Sequence, residues 1–161
     1  MTPEISLSLL ACSDKEIKIL NRIIRYTENG IELEADLRHA ELIVSQLGLA
    51  EAKELTCPAA DEVKRDDDEN EWNAEYTTQY KSIVARANYL STDRPDIQYA
   101  VKELCRRMSD PDTHCQQRLV RLGRYLRGRP RAVALFPWQT CPGTQDVYTD
   151  ANWAGCRASR K

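Results

Sequence analysis

The chain has 161 residues, 42% hydrophobic and 30% charged, with a formal net charge of −2. That length fits one domain or two small ones and is enough to bury a core. The longest apolar run, AVALF at 132–136, is far too short to cross a bilayer, and six irregularly spaced cysteines with two histidines and no CxxC pair argue against a zinc site. With no secretory signal in the sequence, reduced thiols and an intracellular location are expected.

The near-zero net charge hides an asymmetry. From Glu51 to Glu75 there are ten acidic and three basic residues; from Thr113 to Gln145 there are six arginines and no acid. Such segregation implies a solvated acidic stretch and a basic surface.

In chain order, the first 14 residues carry little signal. Ile17, Ile19 and, after a break at Asn21, Ile23 then alternate with polar neighbours, and Ile31, Leu33 and Ala35 do so after Asn29-Gly30. Two alternating runs around a dipeptide that tolerates positive φ predict a β-hairpin. Asp36 is placed to cap a helix, and Leu37, Ala40, Ile43, Val44 and Leu47 recur at helical spacing until Gly48. From Ala50 to about Glu75 the chain is polar; Pro58 and the run Asp66-Asp67-Asp68-Glu69 predict a solvated linker over 58–75.

Helices follow. Tyr80, Ile83, Val84, Ala87 and Leu90 share one face of a predicted helix over 77–91. Pro95 suits the first turn of the next, whose apolar stripe is Ile97, Ala100, Val101, Leu104 and Met108. Asp112 caps a third, from Thr113 to Arg127, ending at Gly128. At about 100° per residue, Cys115, Leu119, Leu122 and Leu126 of this helix fall in one sector. Arg118, Arg121, Arg124 and Arg127 spread over the other side, and Arg129 and Arg131 extend the charge. An outward arginine arc of this kind suits sequence-independent contact with nucleic-acid phosphates. Ala132–Phe136 and Asp146–Ala151 read as two short strands around a turn containing Pro142-Gly143. The second strand delivers Asp150, a carboxylate at a strand end, which is a usual place for a metal ligand.

Four phrases carry a resemblance. TDRPDIQYAVKELCRRMSDP resembles the TRPDI-AV-LSR-M-S-P phrase late in the reverse transcriptase region of copia-type retrotransposon polyproteins. RLVRLGRYLRG resembles the K-R-LRYLKGT phrase that follows it, and YTDANWAGCRASRK resembles the DADWAG phrase that opens the RNase H region. IKILNRIIRYTENGIELEADLRHAELIVSQLGL resembles the hairpin-and-helix segment just upstream. The resemblance spans roughly residues 16–161, with order and spacing matched.

It implies an α+β fragment of a polyprotein. Residues 1–57 would be the end of a palm-like region, 58–75 the acidic linker, 76–129 a helical thumb/connection-like segment and 130–161 the truncated start of an RNase H-like domain. The polymerase's Tyr-Val-Asp-Asp phrase is absent. Asp150 aligns with the first metal-binding aspartate of RNase H, where several carboxylates hold two Mg²⁺ ions. Asp150 could bind metal only with carboxylates this chain lacks, and Asn152 and Cys156 depart from the family phrase. Mg²⁺ would thus belong to the parent enzyme, with no cofactor expected for the fragment alone. The implied partners are the remainder of the Pol polyprotein and, through Arg118, Arg121, Arg124, Arg127 and Arg129, the backbone of an RNA–DNA or DNA duplex. The competing reading is a small helical interaction module, or a domesticated retroelement-derived protein, without nucleic-acid chemistry.

Overall fold

A computed structural model of the chain describes residues 15–59, 74–140, 143–144 and 146–149. It is mixed α and β: a four-stranded antiparallel sheet stands beside a four-helix core. The strands are β1 (Glu16–Ile19), β2 (Arg22–Thr27), β3 (Gly30–Glu34) and β4 (Val133–Pro137), in spatial order β1-β2-β3-β4. The helices are α1 (Leu37–Gln46), α2 (Ala74–Ser91), α3 (Gln98–Cys105) and α4 (Thr113–Gly128).

The expected two-stranded hairpin is thus three strands, because the first alternating run folds back on itself at Leu20-Asn21. Both residues have positive φ, 50° and 63°. Positive φ at both central residues is the geometry of the tight turn that matches strand twist. The break in alternation at Asn21 marks the place, but leucine gives no sequence signal for that conformation, so a turn is not expected there.

The second turn lies where Asn29-Gly30 indicates, with Thr27 opposite Gly30. Gly30 is required there twice over. Its φ of 153° disfavours a side chain, and a Cβ would lie 2.1 Å from the Phe136 carbonyl oxygen of β4. Gly30→Ala is therefore expected to push β4 away from β3 and to cost about 1–3 kcal/mol. Urea unfolding would give the loss, and faster amide exchange across β4 would locate it.

β4 begins one residue later than expected and pairs with β3, Gly30 opposite Pro137 and Glu34 opposite Val133. Residues 133–137 therefore share a sheet with the N-terminal strands. The strand expected at Asp146–Ala151 is not formed over 146–149, which are exposed and have no regular secondary structure. Asp150 and Ala151 lie outside the described residues, as do Cys141, Pro142, Asn152, Cys156 and the Asp66–Glu69 run.

Helix boundaries follow the sequence signals closely. The Asp36 side chain accepts from the Arg38 N–H at 3.0 Å, and Asp112 accepts from Cys115 N–H at 2.7 Å. These are the two expected caps. α2 starts earlier, at Ala74, so the polar linker ends there. α3 starts later, at Gln98, and Pro95 lies in the turn before it rather than in its first turn.

The core is built from the expected stripes. Ala40 and Ile43 of α1 meet Tyr80, Ile83, Val84, Ala87 and Leu90 of α2. Ile97, Val101 and Leu104 join them with Cys115, Leu119, Leu122, Tyr125 and Leu126 of α4. α1 packs against both α2 and α4. The Tyr80 hydroxyl donates to the Leu104 carbonyl at 3.0 Å, so its one polar atom is satisfied inside this core.

The sheet meets the helices chiefly through polar links. Arg22 Nε lies 2.6 Å from Asp93 Oδ2, and the Ala35 N–H donates to the Ala132 carbonyl. Buried Glu34 accepts from Arg131 at 2.6 and 3.0 Å and from Arg25 at 2.7 Å. Arg131, with Arg25, holds the Glu34 carboxyl below the usual carboxylate range against the upward push of burial. The register places Ile17, Ile24, Leu33 and Ala134 in one row of a single sheet face, with Tyr26, Ile31 and Phe136 in the next. Ile17, Tyr26, Ile31 and Phe136 on this face are exposed.

Candidate nucleic-acid interface

α4 carries the arginines that the sequence singles out. Its apolar sector is buried as expected, with Leu119, Leu122 and Leu126 no more than 2% exposed. The other side is not an open arc. Residues 50–59 lie along it as a strap, and the arginines hold that strap by its backbone. Arg127 donates from Nε to the Ala50 carbonyl at 2.6 Å and from Nη1 to that of Ala52. Arg124 Nε donates to Lys53 O at 2.5 Å, and Arg121 Nε to Ala59 O at 2.6 Å. The strap answers with Leu55 N–H donating to the Arg124 carbonyl at 3.4 Å.

The physical reason is a shortage of partners. A strap without regular secondary structure leaves carbonyls unpaired, and guanidinium groups on the adjoining helix satisfy them. Gly123 lets the chain leaving α1 approach: a Cβ there would lie 2.6 Å from Leu49 Cδ1 and 2.8 Å from Leu47 Cδ1. Angular position on a helix identifies a face but not what covers it, so the outward-facing arc is corrected to a half-covered one.

Arg121 and Arg124 spend only Nε on the strap, which leaves their terminal N–H groups for other partners. Arg118 makes no hydrogen bond or ion pair among the described residues and is half-buried. Of the four, only Arg127 has an ion pair among the described residues, with Glu54 at 3.8 Å. Arg129 is exposed at the helix end, its N–H donating to the Tyr125 carbonyl.

A cleft of about 250 Å³ opens between the strap and α4. Leu55 and Val120 line it with Arg118, Arg121 and Arg124. His114 and Gln117 complete the wall. Both ring nitrogens of His114 are buried and have no hydrogen-bond partner among the described residues. Neither His114 nor Gln117 was marked by the sequence pattern; a histidine in the first turn of a helix leading into an arginine row is the signal that was there to read.

A second group of residues missed by pattern is the Arg94-Pro95-Asp96 turn. Arg94 is 1% exposed. Its guanidinium donates to Asp96 Oδ1 at 2.9 Å and Oδ2 at 2.7 Å, and to the carbonyls of Pro130 at 3.1 Å and Arg129 at 3.0 Å. The Tyr125 hydroxyl donates to Asp96 Oδ2 at 2.7 Å. Burial pushes the Asp96 carboxyl up, but Arg94 and Tyr125 outweigh it and hold the group below its ordinary range. This charged turn is a structural clasp: it ties the α2–α3 connection to the chain leaving α4.

Asp150 lies outside the described residues. Asp146, the carboxylate nearest it in sequence, is exposed. Among the described residues, no group of three His, Cys, Asp or Glu side chains is placed to hold a metal ion, and no helix is long and apolar enough to cross a membrane.

No family model matches the chain, and no solved structure matches it. Curated proteins do. An uncharacterized mitochondrial protein of Arabidopsis thaliana is 28% identical over 124 residues, covering 77% of this chain and 50% of that protein. The retrovirus-related Pol polyprotein from transposon RE1 of the same plant is 40% identical over 79 residues, covering 48% of this chain and 5% of the polyprotein. That from transposon RE2 is 38% identical over 79 residues, with the same coverage of 48% and 5%. The chain thus spans half the length of the mitochondrial relative and a small part of the polyproteins. These relatives support the resemblance of its phrases to copia-type retrotransposon Pol polyproteins.

Proposed function

We propose that this segment of a copia-type retrotransposon Pol polyprotein is a grip for the backbone of a nucleic-acid duplex, catalytically incomplete alone, with α4 as the element that meets phosphate. The observation that carries the reading is the α4 surface itself. Arg118 and Arg129 make no side-chain bond among the described residues, and Arg121 and Arg124 keep terminal donors available. The stretch from Thr113 to Gln145 contains no acidic residue to neutralise them. Phosphate contacts of this kind position a duplex without reading its sequence, and a DNA or an RNA–DNA duplex serves equally.

The 148–161 phrase fits the opening of an RNase H-like region, with Asp150 as its first metal-binding carboxylate. Two-metal hydrolysis requires several carboxylates around a pair of ions. Asp150 alone does not meet that requirement, so the fragment by itself is read as inactive, with Mg²⁺ chemistry belonging to the complete polyprotein.

The test is a salt titration. Fluorescence anisotropy with unrelated duplexes is expected to give dissociation constants of about 10⁻⁴ to 10⁻⁶ M at physiological salt. The double variant Arg118→Gln/Arg129→Gln, which touches no strap contact, is expected to lower the slope of log K against log salt by roughly two. Binding that ignores salt, or a double variant with an unchanged slope, rules out the grip. The exposed apolar sheet face supports a second reading, an interaction module that binds protein; under it, duplex affinity is absent even at low salt.

A further inference from the structure

We infer that the cleft between the strap and α4 receives a single nucleotide unit, its phosphate on Arg118, Arg121 and Arg124 and its base against Leu55 and Val120. The inference deepens the duplex-grip reading, on which its ligand class rests, and assigns a site that neither the phrases nor the relatives indicate.

Three features of the cleft converge. The first is charge: Arg118 has no partner among the described residues, and Arg121 and Arg124 commit only Nε to the strap. Guanidinium groups carry five N–H donors each and suit the oxygens of a phosphate. The second is the pair of buried, unpartnered nitrogens on His114. A neutral imidazole needs one donor and one acceptor, and an inorganic anion supplies no donor unless it is itself protonated. A nucleobase edge carries donors and acceptors and can pair with one of the two nitrogens, and an imidazole ring is also one of the flat surfaces on which bases stack. Gln117 adds an amide, with donors and an acceptor that pair with a base edge. The third is the apolar wall of Leu55 and Val120, which a free phosphate leaves uncovered. A volume of about 250 Å³ is close to the lower end of ordinary ligand pockets, roughly 300–1,000 Å³, and accommodates one nucleotide rather than two.

The same chemistry is presented by a free mononucleotide and by the phosphorylated end of a strand. The full chain is therefore titrated with AMP, adenosine, inorganic phosphate and a 5′-phosphorylated single strand, and the His114 ring signals are followed by NMR. AMP is expected to bind at least about tenfold more tightly than adenosine or phosphate, one such step being the scale of a single good contact. It is also expected to shift the signal of a His114 ring nitrogen. Arg118→Gln, which removes no contact within the fold, is expected to lose about tenfold in AMP affinity with an unchanged circular dichroism spectrum. A strand that outcompetes AMP identifies a strand end as the occupant; AMP binding tighter than the strand identifies a free nucleotide. AMP no tighter than phosphate, or His114 signals that stay still, overturns the site. Salt-dependent duplex binding without AMP binding removes the nucleotide site and leaves the grip standing. AMP binding without duplex binding does the reverse.

Discussion

Arg94→Ala is expected to destabilise the chain by about 1.5–3 kcal/mol, the usual worth of hydrogen bonds to a charged group, since Arg94 is buried but its partner Asp96 is 32% exposed. Arg94 is 1% exposed and spans two elements that are distant in sequence. Its loss leaves the Asp96 carboxylate with Tyr125 and solvent, and the carbonyls of Arg129 and Pro130 without their donor. For a chain of this size, each kcal/mol lowers the melting temperature by about 2–4 °C. Arg94→Lys is expected to rescue little, because one ammonium cannot reproduce the fork that serves a carboxylate and two carbonyls together. The clasp also sets an acid limit. The Asp96 carboxyl is held below its unfolded value, so its contribution is complete above about pH 4 and is lost as pH falls through the folded value. The Arg94→Ala variant is expected to lose that part of the acid dependence. A lysine variant as stable as the parent, or an alanine variant within about 0.5 kcal/mol of it, shows that the turn is held by packing alone.

Leu122→Ala is expected to cost about 2–5 kcal/mol, because Leu122 is fully buried and the helices around it cannot close the space completely. Arg129→Gln, about two turns away but exposed, is expected to stay within about 0.5 kcal/mol of the parent. Chemical unfolding of the two variants checks the division of α4 into a face that folds and a face that binds. Equal losses in both would show that the end of α4 is integral to the core.

The helical half of the molecule was legible in the sequence, and the reasons are local. Tyr80, Ile83, Val84, Ala87 and Leu90 recur at a helical period, and every one of them is buried. Asp36 and Asp112 cap the helices they precede, since a cap depends on residues two or three positions away. What escaped depends on distant parts of the chain. Nothing near Val133 indicates that it pairs with Glu34, and nothing on α4 indicates that Lys53 or Ala59 will present a carbonyl to its arginines. The turn at Leu20-Asn21 escaped for a different reason: a leucine with positive φ has no compositional mark. Arg94 was visible only as part of a phrase. That it is a buried clasp follows from the approach of the α4 end, which no period encodes.

The pairing of β3 with β4 has a consequence for synthesis. Gly30 sits opposite Pro137, a partner on the order of a hundred residues later in the chain. At roughly 5–20 residues per second, a ribosome needs about 5–20 s to make that stretch. During this interval β1, β2 and β3 exist with the outer edge of β3 unpaired and Ile31 uncovered beside it. An open edge of that kind pairs with any other strand that reaches it. The order of emergence therefore leaves β3 as a second open edge, opposite β1, until β4 arrives and takes its place as the edge strand.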